Sequence, residues 1–80
     1  MTPAALAVLA DKAVEFSAIE GVRVGQAAWV ALIEVDERLA NRIQGTASDP
    51  FFEDDRLPMF WQAVTEAALE MDEPNDEEVA

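Results

Sequence analysis

The chain has 80 residues, with 17 acidic and 5 basic side chains, a formal net charge of −12 at pH 7, and no histidine, cysteine or tyrosine. It therefore lacks the side chains that perform most proton-transfer, thiol and transition-metal chemistry. The negative charge disfavours direct binding to nucleic-acid phosphates or to anionic membrane surfaces. No apolar run approaches the roughly 18 to 20 residues of a membrane span. An apolar fraction of 51% suits one small globular domain.

A first helix is predicted at the start of the chain. Thr2 is a favourable N-cap, Pro3 suits the first helical position, and Gly21 is expected to end the helix. Apolar residues at three- and four-residue steps form one stripe, namely Leu6, Leu9, Ala10, Ala13 and Phe16. The apolar stretch from Ala4 to Ala10 follows no basic residue and is interrupted by Asp11, so we expect no secretory signal.

A second helix is predicted from Val24 to Gln44 and is closed by Gly45. Its apolar positions cover almost half of the circumference: Val24, Ala28, Trp29, Leu32, Ile33, Val35, Leu39, Ala40 and Ile43. So broad a face predicts either a central helix with two neighbours, or one neighbour and a partner chain. Glu34 and Arg38, four residues apart, are expected to pair on the remaining polar face.

Helical periodicity lapses between Thr46 and Leu57, where the Asp49-Pro50 step predicts a turn. One short helical turn is expected at Phe51 and Phe52. Adjacent phenylalanines do not easily both point inward, so we expect Phe51 to complete the core. Candidate anchors for contact with a partner are three aromatic residues and one leucine, namely Phe52, Trp61, Trp29 and Leu69.

A third helix is predicted from Pro58, with an apolar stripe that includes Phe60, Val64, Ala67 and Met71. The expected fold is thus an all-α domain over residues 1–72, with three helices and an aromatic-rich connection between the second and third. Residues 73–80 lack apolar periodicity and repel one another, so they are predicted to be a disordered acidic tail.

The densest acidic cluster is Asp49, Glu53, Asp54 and Asp55. Its spacing does not match a calcium-binding loop, so solvated loop acids are expected, with no metal and no cofactor. Serine and threonine have no histidine to activate them, so we expect no catalytic residue and no enzyme. A cation at a helix start is unfavourable. Arg23 is therefore expected to pair with Asp49 or Asp54.

Part of the chain resembles a recurrent pattern of small uncharacterised bacterial proteins from phages, prophages and other mobile elements. The pattern spans about half of the chain. It consists of Arg23-Val24-Gly25-Gln26-Ala27, Glu34-Val35-Asp36, Leu39-Ala40, Gly45-Thr46, Asp49-Pro50-Phe51-Phe52, Asp54-Asp55-Arg56-Leu57-Pro58 and Phe60. The resemblance implies a mobile-element setting, in which small acidic proteins frequently inhibit the nucleic-acid-binding machinery of the host.

Charge and resemblance together predict a cytoplasmic, non-enzymatic protein-binding module in a host bacterium. It would be an inhibitor, of anti-CRISPR or similar type, that occludes or mimics nucleic acid on a basic nucleic-acid-binding partner. The expected partner-binding residues are Glu53, Asp54, Asp55, Glu34, Glu37, Glu66, Glu70, Trp61 and Phe52. The alternative is a self-assembling structural or virion-associated protein, a homodimer formed through the broad face of the second helix.

Overall fold

The computed structural model describes residues 1–71, of which 73% are helical, and these residues contain no strand. The elements in chain order are α1 (Pro3–Ser17), α2 (Val24–Val35), α3 (Glu37–Ile43), a 3-10 helix (Asp54–Arg56) and α4 (Leu57–Met71). The predicted all-α class is confirmed. Asp72 and the predicted acidic tail at 73–80 lie outside the described residues.

The prediction of one continuous second helix is wrong, because the chain forms two helices that meet at Asp36. This residue departs from helical geometry (φ −155°, ψ 85°), and its Oδ1 accepts the Leu39 N–H at 3.1 Å as the N-cap of α3. An aspartate that caps a new helix competes with continuation of the old one. The predicted Glu34–Arg38 pair is also wrong: Glu34 lies 3.5 Å from the Lys12 ammonium instead.

The ends of the other helices differ modestly from the prediction. Helix α1 ends at Ser17, whose hydroxyl donates to the Val14 carbonyl at 2.8 Å, so Gly21 lies in the following turn. Gly45 does follow the C-cap of α3, with the positive φ of 78° that glycine adopts at little cost. The short helical turn lies at Asp54–Arg56, three residues later than expected.

Helix α2 lies at the centre of the molecule. It packs against α1, α3 and the 3-10 helix, so intramolecular neighbours cover much of its broad apolar face. Trp29 is only 6% exposed within the core cluster, which corrects the prediction that it is a partly uncovered anchor. Phe60 and Val64 of α4 and Leu9 of α1 are fully buried in the same core. Among residues 1–71, no helix is long and apolar enough to cross a membrane.

Candidate protein-binding surface

Arg23 connects the start of α2 to the segment that precedes α4. Its Nη1 lies 2.8 Å from Asp54 Oδ1, and its Nη2 donates to the Phe51 carbonyl. The Gly25 N–H donates to the same Asp54 oxygen at 2.9 Å. The predicted pairing of Arg23 is therefore confirmed, with Asp54 and not Asp49 as its partner. A guanidinium satisfies both acceptors because its donors are arranged in a fixed fork.

The two segments approach so closely that Gly25 has no room for a side chain. A Cβ built at this buried glycine would lie 2.7 Å from Asp54 Oδ1 and would also collide with the Pro50 carbonyl oxygen. Pro50 itself is almost completely buried. Asp54 therefore has a structural role, because its half-buried carboxylate binds both Arg23 and the backbone of α2.

We call residues 49–53 the tip loop. Asp49 organises it, since Oδ2 accepts the Gly45 N–H at 2.8 Å and Oδ1 accepts the Phe51 N–H at 3.0 Å. A further hydrogen bond joins the Glu53 N–H to the Pro50 carbonyl at 3.2 Å. The loop conformation thus follows from its own sequence, in the way that aspartate before proline commonly shapes a turn.

Two acids of the predicted cluster, Asp49 and Asp54, therefore accept protein N–H groups. A third, Glu53, lies 3.4 Å from Arg56 Nε, and Arg56 also donates to the Thr46 carbonyl at 3.1 Å. Within the described part of the chain, no three acidic side chains are grouped closely enough to hold a metal ion. Asp55 is exposed and forms no ion pair within that part.

The two phenylalanines of the tip loop point in different directions, as expected. Phe51 is half-buried and packs against the core, whereas Phe52 is 82% exposed. Their rings meet edge to face with centroids 4.7 Å apart. Phe52 is the most exposed large apolar side chain of residues 1–70.

A cleft lies on each side of Phe52. The first, of about 290 Å³, is lined by Trp29, Ile33, Gln44, Asp49, Phe51 and Phe52. The second, of about 300 Å³, is lined by Gln44, Gly45, Asp49, Phe52, Glu53 and Arg56. The sequence did not mark Gln44 or Ile33 as neighbours of this ring, because only the return of the chain at Gly45 brings them there.

The acids on the outer faces occupy separate places. Glu66 and Glu70 line a cleft between α3 and α4 together with Arg42, and Glu66 accepts a hydrogen bond from Gln62 at 3.3 Å. Glu37 is exposed in the first turn of α3. Glu34 is paired with Lys12. The predicted partner-binding residues are thus not one continuous cluster: only Phe52 and the acids at 53–55 are neighbours on one loop.

Trp61 is half-buried, and its ring contacts Phe60 edge to face, with centroids 5.0 Å apart. It lines a fourth cleft, between α1, the start of α2 and α4, whose lining carries no charge: Ala10, Ala13, Val14, Ser17, Val24, Ala28, Leu57 and Trp61. Val14, which was not predicted as a surface residue of interest, is 71% exposed there. Val24, which belongs to the predicted apolar face of the second helix, is 50% exposed. Leu69 is 62% exposed, as its position opposite the apolar stripe of α4 predicts.

No protein-family model, curated protein or solved structure matches the chain. The resemblance to mobile-element proteins therefore stays a prediction.

Proposed function

We propose that the chain is a non-enzymatic, acidic protein-binding module that engages the basic, nucleic-acid-binding surface of a partner protein in a bacterial cytoplasm. In the mobile-element setting that the resemblance implies, it would act as an inhibitor. The partner's site would then be occluded by a surface whose charge resembles that of nucleic acid.

The observation that carries the proposal is the placement of the acids. Residues 1–71 contain twelve acidic and five basic side chains, and none of these side chains is buried. Carboxylates that remain in water act through the potential they create outside the molecule, where they attract and orient a basic partner.

Local cations offset only part of this charge. Lys12, Arg23 and Arg56 pair with Glu34, Asp54 and Glu53, which leaves nine acids of residues 1–71 without a paired Lys or Arg. These nine are Asp11, Glu15, Glu20, Asp36, Glu37, Asp49, Asp55, Glu66 and Glu70. Arg38 and Arg42, both on α3, form no ion pair within the same residues.

The proposal is tested by capture on the immobilised protein from a nuclease-treated bacterial lysate, followed by a nucleic-acid-binding assay of what is retained. We expect the retained protein to be basic, to lose its nucleic acid as this chain is added, and to dissociate in about 1 M NaCl, where the Debye length is about 3 Å. Retention that is unchanged at that salt concentration would contradict an electrostatic interface.

Two double variants sharpen the test. Glu66→Gln with Glu70→Gln removes two carboxylates that have no paired cation, and should weaken the association. Glu34 was expected to bind the partner, but its charge is offset by Lys12. Lys12→Gln with Glu34→Gln therefore removes one ion pair, leaves the net charge unchanged and should bind as the natural chain does. Equal affinities of the two variants would show that these acids of α4 do not contribute.

Self-assembly is a second candidate function, and the uncharged cleft beside Trp61 favours it. Val14 and Val24 leave apolar surface exposed in this cleft, whose lining contains no charged side chain. Because each copy carries a formal charge of −12, we nevertheless expect repulsion to oppose association. Sedimentation at micromolar concentration should give the 8.7 kDa monomer. A stable dimer that Val14→Glu dissociates would instead support the second function.

A further inference from the structure

Phe52 differs from the other exposed apolar residues because its side chain is more exposed and the backbone of the tip loop is held in place. Single exposed apolar side chains are ordinary on protein surfaces. Phe52, however, is 82% exposed, and its burial against a partner would remove a large apolar surface from water. An aromatic ring in such a position is typical of the residues that dominate binding energy.

The backbone on both sides of this ring is held by hydrogen bonds. The Phe51 N–H donates to Asp49, the Phe51 carbonyl accepts from Arg23, and the Glu53 N–H donates to the Pro50 carbonyl. The Phe51 ring supports the Phe52 ring edge to face and itself packs against the core. The tip loop would therefore lose little conformational entropy when a partner binds to it, which is the advantage of a preorganised contact.

The cleft between Phe52 and α2 has a mixed chemistry that suits one kind of side chain. Trp29, Ile33 and the two phenylalanines provide apolar walls, and Asp49 is the one ionisable side chain of its lining. Each Asp49 oxygen accepts one backbone N–H, and a carboxylate offers about four acceptor positions, so it retains capacity for another donor.

We infer that Phe52 is the anchor of the interface and that this cleft receives an arginine or lysine side chain of the basic partner. The apolar stem of that side chain would lie along the Phe52 ring, and its cationic group would reach the Asp49 carboxylate. The inference rests on the proposed function, since it assumes a basic partner. The formal charge of −12 supplies the long-range attraction, and the tip loop supplies the specific contact.

A titration with a nona-arginine peptide, followed by amide resonances of isotope-labelled protein in about 0.15 M NaCl, tests the inference at a Debye length of about 8 Å. The largest shifts are expected at Gln44, Gly45, Asp49 and residues 51–53. Phe52→Ala should weaken peptide binding by about five-fold or more, the scale of a moderate contact residue. Ile19→Ala, the matched control, removes a side chain that is 54% exposed in the turn after α1 and should leave affinity unchanged.

The results of this titration distinguish a specific contact at Phe52 from general attraction between opposite charges. Shifts spread evenly over the acidic residues, with equal affinities for Phe52→Ala and Ile19→Ala, would overturn the anchor and leave the proposed function standing. Failure of the natural chain to bind the peptide at all would count against both. Shifts of the same amides with protein concentration alone would assign the cleft to a second copy of the chain, and would also overturn the inference.

Discussion

Gly25 is the residue at which the start of α2 and the tip loop meet. Its N–H contacts Asp54, and the space of a missing Cβ is taken by the Pro50 carbonyl oxygen and the Asp54 carboxylate. The acids at 53–55 and the ring of Phe52 therefore owe their positions to a residue without a side chain. This close approach of two backbone segments is the geometric basis of the candidate surface.

Gly25→Ala should destabilise the protein by about 1–3 kcal/mol, the usual cost of forcing extra volume into a packed site. The sign of this change in stability is informative, because the replacement of glycine by alanine at an open helical position is stabilising by about 1 kcal/mol. Urea denaturation measures the change. Gly21→Ala is the control: no atom lies within 4 Å of its added Cβ, so only the cost of its positive φ should appear. A stabilised Gly25→Ala variant would mean that the loop moves away freely.

At the scale of elements, the break between α2 and α3 depends on the cap that Asp36 provides. Asp36→Ala removes the acceptor of the Leu39 N–H and should lower the free energy of unfolding by about 0.5–2 kcal/mol. Asp36→Asn keeps an oxygen acceptor and should be close to the natural chain in stability. Urea denaturation with far-ultraviolet circular dichroism measures both. A more helical and more stable Asp36→Ala variant would indicate that the two helices have merged into one.

The same break shows where sequence reasoning succeeds and where it ends. Apolar spacing places Leu39, Ala40 and Ile43 in the core correctly, because α3 keeps the stripe of α2 directed inward. It does not report the interruption, since one capping aspartate changes the path of the backbone without disturbing the pattern. Asp36 followed by Glu37 was the available signal, an N-cap with an acid in the first turn.

The candidate site divides in a similar way. Local arguments correctly predict that Phe51 points inward and that Arg23 pairs with a loop acid, because adjacency and helix electrostatics are properties of short segments. The clefts beside Phe52 and Trp61 were not predictable, because they arise where residues distant in sequence are brought together. The burial of Trp29 was missed for the same reason.

At the scale of the whole molecule, the excess of acids opposes the compact state. Nine acids of residues 1–71 have no paired Lys or Arg, and the three side-chain ion pairs are exposed enough to contribute little. We expect the melting temperature to rise as NaCl increases, because screening relieves more repulsion than it removes attraction. Glu66→Gln with Glu70→Gln should melt higher at low salt and respond less to NaCl. A melting temperature that falls with salt would contradict this balance.

The contact between Arg23 and Asp54 joins residues separated by 31 positions in the chain. A denatured or proteolytically cleaved chain would keep every carboxylate and still behave as a polyanion, yet it would lose the braced phenylalanine. An effect on a partner that persists after denaturation would therefore come from the charge of the chain alone. An effect that is lost on denaturation would come from its folded shape.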